Sequence, residues 1–185
     1  MNETPQQYAQ RVTGYLDGRD PMTVLSSTPS ELETLIKGCS RTSLDAPPAP
    51  DKWSVTTIVA HLADSEIVYG FRLRLMIAAS GCAIQATDQD AWAVAFDYAA
   101  QDPAVSIEDF RVNRARTLRM LEALSMSQWD CYGVHSERGR ETVRRVVELV
   151  AGHDINHLRQ IRAILGMRID AISIPRLAAP SSGIP

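Results

Sequence analysis

Between Glu141 and Leu165 the chain carries Val143, Val146, Val147, Leu149, Val150, Ile161, Ile164 and Leu165 at helical spacing, and His153 and His157 interrupt the same stripe. No other feature restricts the fold as much. Apolar residues recurring every three or four positions predict a long amphipathic helix with one buried face, and Gly166 supplies its stop. Two imidazoles four residues apart on that face lie one turn above the other, so both can reach one point in space. Inward imidazoles need partners, because an unsatisfied buried polar group costs about 1–3 kcal/mol.

A long helix with an apolar stripe needs other long helices to cover it, and three more segments have that character. Ser54 is a good N-cap, and Trp53 with Ile58 fits a hydrophobic staple, so a helix is expected from there to Ala79 or Ser80, before Gly81. Its inward stripe runs through Val55, Ile58, His61, Leu62, Ser65, Val68, Tyr69, Arg72, Leu75 and Met76. His61, Ser65 and Arg72 break that stripe, which suggests a polar channel along part of the bundle. Ser106, with Asp109 three residues on, predicts the cap of a third helix after the Asp102-Pro103 break, with Phe110, Val112, Ala115, Leu118, Leu121 and Leu124 as its apolar positions. Thr28 or Ser30 is expected to cap the remaining one, with Leu32, Leu35, Ile36 and Cys39 inward and Gly38 at its end.

Shorter pieces complete the reading. A helix from about Pro5 to Leu16 precedes the bundle, with another turn over Met22 to Ser26. Pro47, Pro48 and Pro50 make Leu44 to Trp53 an extended spacer. Asp88 or Asp90 begins a short crossover helix with Trp92, Ala95, Phe96 and Tyr98 on its buried side, and Met126 to Gly139 reads as a loop. The expected fold is all-α: a four-helix bundle with an extra N-terminal helix and a short crossover helix, forming one domain over residues 1–167. Residues 168–185, with Ile172, Ile174 and Leu177, are expected to be a tail, partly disordered or docked on a partner.

Composition removes several function classes. Hydrophobic residues make up 45% and charged residues 22%, an ordinary globular balance, and a net charge of −3 offers nothing to attract nucleic acid. Cys39, Cys82 and Cys131 are odd in number and far apart, so no disulfide framework is expected, and a reducing compartment suits them. The polar opening Met1-Asn2-Glu3-Thr4 and the lack of an apolar run of about 18 residues argue against a signal peptide or a membrane span. A soluble, cytoplasmic protein with neither nucleic-acid nor membrane partners is expected.

The chemistry therefore rests on the histidines. The chain has only four, and His61, His153 and His157 all fall at inward positions of two long helices. Three neutral imidazoles form a good donor set for one divalent transition ion, zinc or nickel foremost, and open positions on it give a Lewis acid or a water activator. His135 is a candidate fourth ligand or substrate contact. Gln160 lies about one turn beyond His157 and can orient it or a bound water, and Asp64 or Asp154 can accept an imidazole N–H, though a surface charge or a helix pair suits each of these residues better. Tyr69 and Arg72 can bind an anionic substrate, or Arg72 can simply snorkel. Trp92, Phe96 and Trp129 read as core, and Cys131, with no basic neighbour in sequence, as structural.

Trp53-Ser54-Val55 leading to His61-Leu62-Ala63-Asp64, followed late in the chain by His153-Asp154-Ile155-Asn156-His157-Leu158-Arg159-Gln160-Ile161, resembles the DinB-like (YfiT-like) metalloprotein superfamily. The segments Asp90-Ala91-Trp92-Ala93 and Trp129 to Gly139 add to the resemblance, which spans about residues 28 to 166. It implies a four-helix bundle, often dimeric, holding a divalent metal on residues matching His61, His153 and His157. It also implies a small-molecule substrate, since characterised members include transferases and isomerases that use low-molecular-weight thiols, and others are labelled metal-dependent hydrolases. On that resemblance the expected function is metal-assisted activation of a thiol or water for attack on a small electrophile. Thiol transfer stands ahead of hydrolysis, and a non-catalytic metal-binding or stress-associated bundle is the rival class.

Overall fold

Pro21 supplies a φ ready for a first helical turn, and Asp20 before it accepts the Thr23 backbone N–H at 2.8 Å. These two residues start helix α2 (Pro21–Ile36) well ahead of the expected caps Thr28 and Ser30, so the turn at Met22 and the later helix are one element. In this computed structural model, which describes residues 3–168, that helix runs on through Pro29. An interior proline has no N–H to give the carbonyl four residues back, here Leu25. Arg114 Nη1 donates to that carbonyl at 3.0 Å, so a side chain from another helix replaces the missing donor. The tail expected over residues 168–185 lies, except for its first residue, outside the described residues.

The other bundle helices are α4 (Val55–Ala78), α6 (Pro103–Glu122) and α8 (Val143–Ile164). Ser54 caps α4 as expected, accepting from the Thr57 N–H at 3.2 Å. Asp102 rather than Ser106 caps α6, and Thr142 caps α8, while Glu141 belongs to a strand. Helix α1 (Pro5–Gly14) packs on α8, and a short α3 (Arg41–Asp45) stands where an extended spacer was expected to begin.

Two apolar clusters fix the helix directions. One joins Leu73 and Met76 to Leu121, Val24, Leu25 and the first half of α8; the other joins Val55, Ile58, Val59 and Leu62 to Ile107, Phe110, Leu32, Leu35, Leu158 and Ile161. Helices α4 and α6 are therefore parallel neighbours, α2 and α8 likewise, and the two pairs run in opposite directions. Helix α4 touches α6 and α8, and α2 touches α6 and α8, so α2 and α4 face each other across the bundle diagonal. A polar layer separates the two apolar clusters. At that level Arg114 binds Glu66 and Asp154, and His61, His153 and His157 meet between α4 and α8.

Parallel neighbours require the chain to travel back along the bundle before the second helix begins. Residues 79–102 make that return after α4, through strand β1 (Cys82–Ile84), helix α5 (Gln89–Ala95) and a 3₁₀ turn (Tyr98–Ala100). Asp97, in the left-handed region at φ 45°, reverses the chain there. Tyr98 consequently turns inward while Ala95 and Phe96 stay exposed, against the expectation that both were buried.

Between α6 and α8 the expected loop is a helical turn α7 (Met126–Trp129) and a hairpin of β2 (Tyr132–His135) and β3 (Gly139–Thr142). Strand β1 pairs parallel to β2, with Ile84 opposite His135, so a small three-stranded sheet closes one end of the bundle and the fold is not strictly all-α. These strands hold three or four residues each, too few for an alternating pattern to stand out. Their pairing depends instead on Gly139, at φ 79°, closing the turn, and on Gly133, where a Cβ would lie 2.5 Å from Ile84 Cγ1. Among the described residues no helix is long and apolar enough to cross a membrane.

Candidate metal centre

His61 sits two turns into α4, and His153 and His157 occupy successive turns of its antiparallel neighbour α8. The neighbouring axes bring the three rings together. His153 Nε2 lies 3.1 Å from His61 Nε2 and 3.1 Å from His157 Nε2, and all three rings are buried. Around one metal ion with nitrogen ligands at ~2.0–2.1 Å, tetrahedral geometry separates the ligand nitrogens by ~3.3 Å, close to this spacing.

The tautomers support the same reading. His157 Nδ1 faces Gln160 Oε1 at 2.7 Å, so His157 carries its proton on Nδ1 and turns a lone pair toward its neighbours. With that nitrogen unprotonated, no tautomer of His61 and His153 converts both 3.1 Å contacts into separate hydrogen bonds. A cation among the three nitrogens satisfies all of them, so the residues present fit a divalent ion. Burial, with the nearby His157 ring adding to it, pushes His61 down to about 3; burial pushes His157 down to about 4 even against its bond to Gln160. His153 lies well below the ordinary range, chiefly from burial and then from the other two imidazoles. All three are neutral at pH 7, the form that ligates metal.

A cavity of about 150 Å³ opens beside His61 and His153. Helix α4 contributes Asp64, Ser65, Tyr69 and Arg72 to its wall, the return segment Thr87, Trp92 and Tyr98, and the hairpin His135 and Arg138. Ser65 Oγ stands 3.3 Å from His61 Nε2. A second cavity, about 470 Å³, reaches His157 from the other side past Trp53, Asn156 and Gln160. Tyr8 of α1 borders both. Gly152 permits this arrangement, since a Cβ there would lie 2.2 Å from the Val12 carbonyl oxygen. Arg11 Nη1 donates to Asn156 Oδ1 at 3.1 Å and Gln6 Nε2 to the Glu137 carbonyl at 2.8 Å, fastening α1 to α8 and to the hairpin.

The remaining candidates divide. Gln160 reaches His157 as expected. Asp64 meets no imidazole and accepts the Tyr98 hydroxyl at 2.6 Å. Asp154 is neither at the surface nor on a histidine: it pairs with Arg114 at 2.6 Å, and Arg114 Nε donates to Glu66 at 2.8 Å, with all three side chains nearly sealed from solvent. His135 lines the cavity outside the cluster of three. Trp92, expected in the core, is pocket lining; Phe96 is exposed, and Trp129 packs against the apolar core with Arg144 over its ring.

Sequence reading missed Glu66, Arg114 and Tyr8. For Arg114 a signal existed, since Ile107, Phe110, Arg114, Thr117 and Leu121 recur every three or four residues and are all buried. Tyr8 gave none.

A four-helix bundle holding three converging imidazoles between two of its helices defines a class, the helical-bundle proteins with a candidate metal centre. The chain belongs to the DinB superfamily, whose family model matches residues 24–161. It is 26% identical over 139 residues to YfiT of Bacillus subtilis (strain 168), covering 75% of this chain and 78% of YfiT. It is 24% identical over 140 residues to OB0782 of Oceanobacillus iheyensis, covering 76% of this chain and 81% of the relative. Both relatives are provisionally named metal-dependent hydrolases. The solved structure of YfiT, described as having an unusual four-helix bundle topology, superposes with a TM-score of 0.73 at 22% identity, covering 90% of this chain and 92% of that one. Helix α1 precedes the part matched by the family model.

Proposed function

We propose that this chain is a metal-dependent hydrolase acting on a small molecule, with His61, His153 and His157 holding one divalent ion, zinc or nickel, beside the smaller cavity. The convergence of three buried Nε2 atoms at an open cavity carries the reading. An ion held this way, with coordination positions left open, supplies a Lewis acid and lowers the pKa of a water or thiol. The protein's own groups do the positioning. Gln160 holds the His157 ring by its Nδ1–H, Ser65 Oγ offers a hydrogen bond beside His61, and Tyr98 keeps Asp64 at the cavity wall. The return segment and α1 narrow access to the centre.

The relatives' names favour hydrolysis over the thiol transfer expected from sequence. Thiol transfer is the second reading, favoured by the cavity on the His157 side, which offers a co-substrate its own route to the same imidazoles. Metal-loaded protein assayed on small esters and amides, and on an aryl halide with and without cellular thiols, separates the two. Turnover of an ester or amide without added thiol, lost in His61→Ala, is expected. Activity unchanged in His61→Ala would exclude both readings, and turnover only with thiol would exclude hydrolysis.

A further inference from the structure

Arg72 is 8% exposed, yet no carboxylate among the described residues lies within ion-pair distance of it. One Nη2 hydrogen goes to the Gln85 carbonyl, and the guanidinium stands 5.7 Å over the Tyr69 ring. Its other N–H groups have no protein acceptor among the described residues, although it lines the cavity beside the histidines. A buried guanidinium without a counter-ion is costly, and the usual compensation is an anion.

His135 adds a second donor. The Glu137 backbone N–H donates to His135 Nδ1 at 3.2 Å, so the neutral ring carries its proton on Nε2, which has no partner among the described residues. Arg72 and Arg138 line the same cavity as this ring, and their charges add to burial in lowering the His135 pKa. Arg138 is already neutralised by Glu141 through contacts of 2.7 and 2.9 Å. Of the other carboxylates at the cavity, Glu137 is exposed to solvent and Asp64 holds the Tyr98 hydroxyl three residues from His61. One uncompensated positive charge and one neutral N–H remain.

We propose that Arg72 and the His135 Nε2–H form an oxyanion subsite for the substrate, and that the substrate is a small carboxylic acid. This rests on the hydrolase reading only for what happens at the histidines; the anion site itself needs no metal. A single unpaired guanidinium matches a carboxylate better than a phosphate dianion, and its fork suits two parallel hydrogen bonds. Arg72 lies eleven residues beyond His61 along α4, a rise of ~16 Å before both side chains reach inward. The carboxylate is therefore set several bonds from the bond that reacts.

The test titrates succinate, its neutral diamide and inorganic phosphate into full-length protein, with metal content measured on the same samples. Wild type is expected to bind succinate at least ~10-fold tighter than the diamide, to bind phosphate more weakly than succinate, and to keep that order after metal removal. Arg72→Met should lose at least ~10-fold in succinate affinity while its metal content stays at the wild-type level, and Arg72→Lys should fall between them. Equal binding of succinate and diamide, or succinate binding that survives in Arg72→Met but disappears with the metal, would overturn the subsite. Tighter binding of phosphate would overturn the carboxylate assignment. A wild type that binds no metal yet binds succinate through Arg72 would sink the metal reading and uphold this one. If Arg72→Met does not fold, Arg72→Lys and the wild-type comparison still decide.

Discussion

Replacing Arg114 by methionine removes the centre of the buried polar layer while keeping most of the side-chain volume. Arg114 holds Glu66 at 2.8 Å and Asp154 at 2.6 Å, with exposures of 2% for the arginine side chain and 1% for each carboxylate, and also supplies the hydrogen bond that Pro29 denies to Leu25. Removing one partner of a buried ion pair costs about 3–5 kcal/mol, because the carboxylates are left uncompensated in a medium that solvates them poorly. For a chain of this size that corresponds to a fall in Tm of about 6–20 °C. The loss also carries a pH signature. Burial already raises the Glu66 pKa, and without Arg114 it should rise further. A carboxylate whose folded pKa lies above its unfolded value destabilises the protein at high pH and ceases to as it protonates. The deficit is thus largest at pH 7 and should shrink as the pH falls toward 5. Urea unfolding of metal-free wild type and Arg114→Met, followed by circular dichroism at both pH values, measures it. A deficit below about 1 kcal/mol at pH 7, or one that grows on acidification, would refute the reasoning.

Gln160→Leu removes the acceptor of the His157 Nδ1–H and should weaken metal binding by about 10–100-fold in a chelator competition; unchanged affinity would mean the bond does not orient the ring. Gly152→Val places side-chain atoms where the Val12 carbonyl lies and should cost about 1–3 kcal/mol, with faster proteolysis inside α1; full stability would show that α1 does not need this contact. In metal-free protein, His61 and His157 have folded pKa values of about 3 and about 4 against an ordinary 6.5, so the unfolded chain binds more protons below pH 6.5. Stability should be complete above pH 6.5 and decline as the pH falls from there toward 4, by up to about 1.4 kcal/mol per pH unit for each imidazole. His157→Asn should make urea midpoints between pH 7.5 and 5.5 less steep, and an identical slope would contradict neutral burial of that ring.

Much of this fold was legible because long helices repeat their signal. The stripe through Val146, Val150, His153 and His157 persists over six turns, and the staple at Trp53 and Ile58 marks the start of α4 unambiguously. Elements encoded by one or two residues were missed. The early start of α2 depends on Asp20 and Pro21, and its survival through Pro29 depends on Arg114, which is 89 residues from the Leu25 carbonyl it serves and invisible to local pattern. The small sheet rests on backbone geometry at Gly133 and Gly139. At the candidate site, helical spacing put His153 and His157 on one face and His61 at an inward position, but their meeting depends on α4 packing against α8, which the family resemblance and not the spacing supplied. The fates of Asp64 and Asp154 could not be read that way, since Tyr98 and Arg114 reach them from elements whose placement only the bundle topology determines.

The centre itself is tested most directly by counting metal in untagged protein purified from cells supplied with zinc and nickel. One divalent ion per chain in wild type, falling to a small fraction in His61→Ala and in His157→Ala with both variants folded, is the expected result. A stoichiometric ion retained in His157→Ala, or no ion in the wild type, would contradict it.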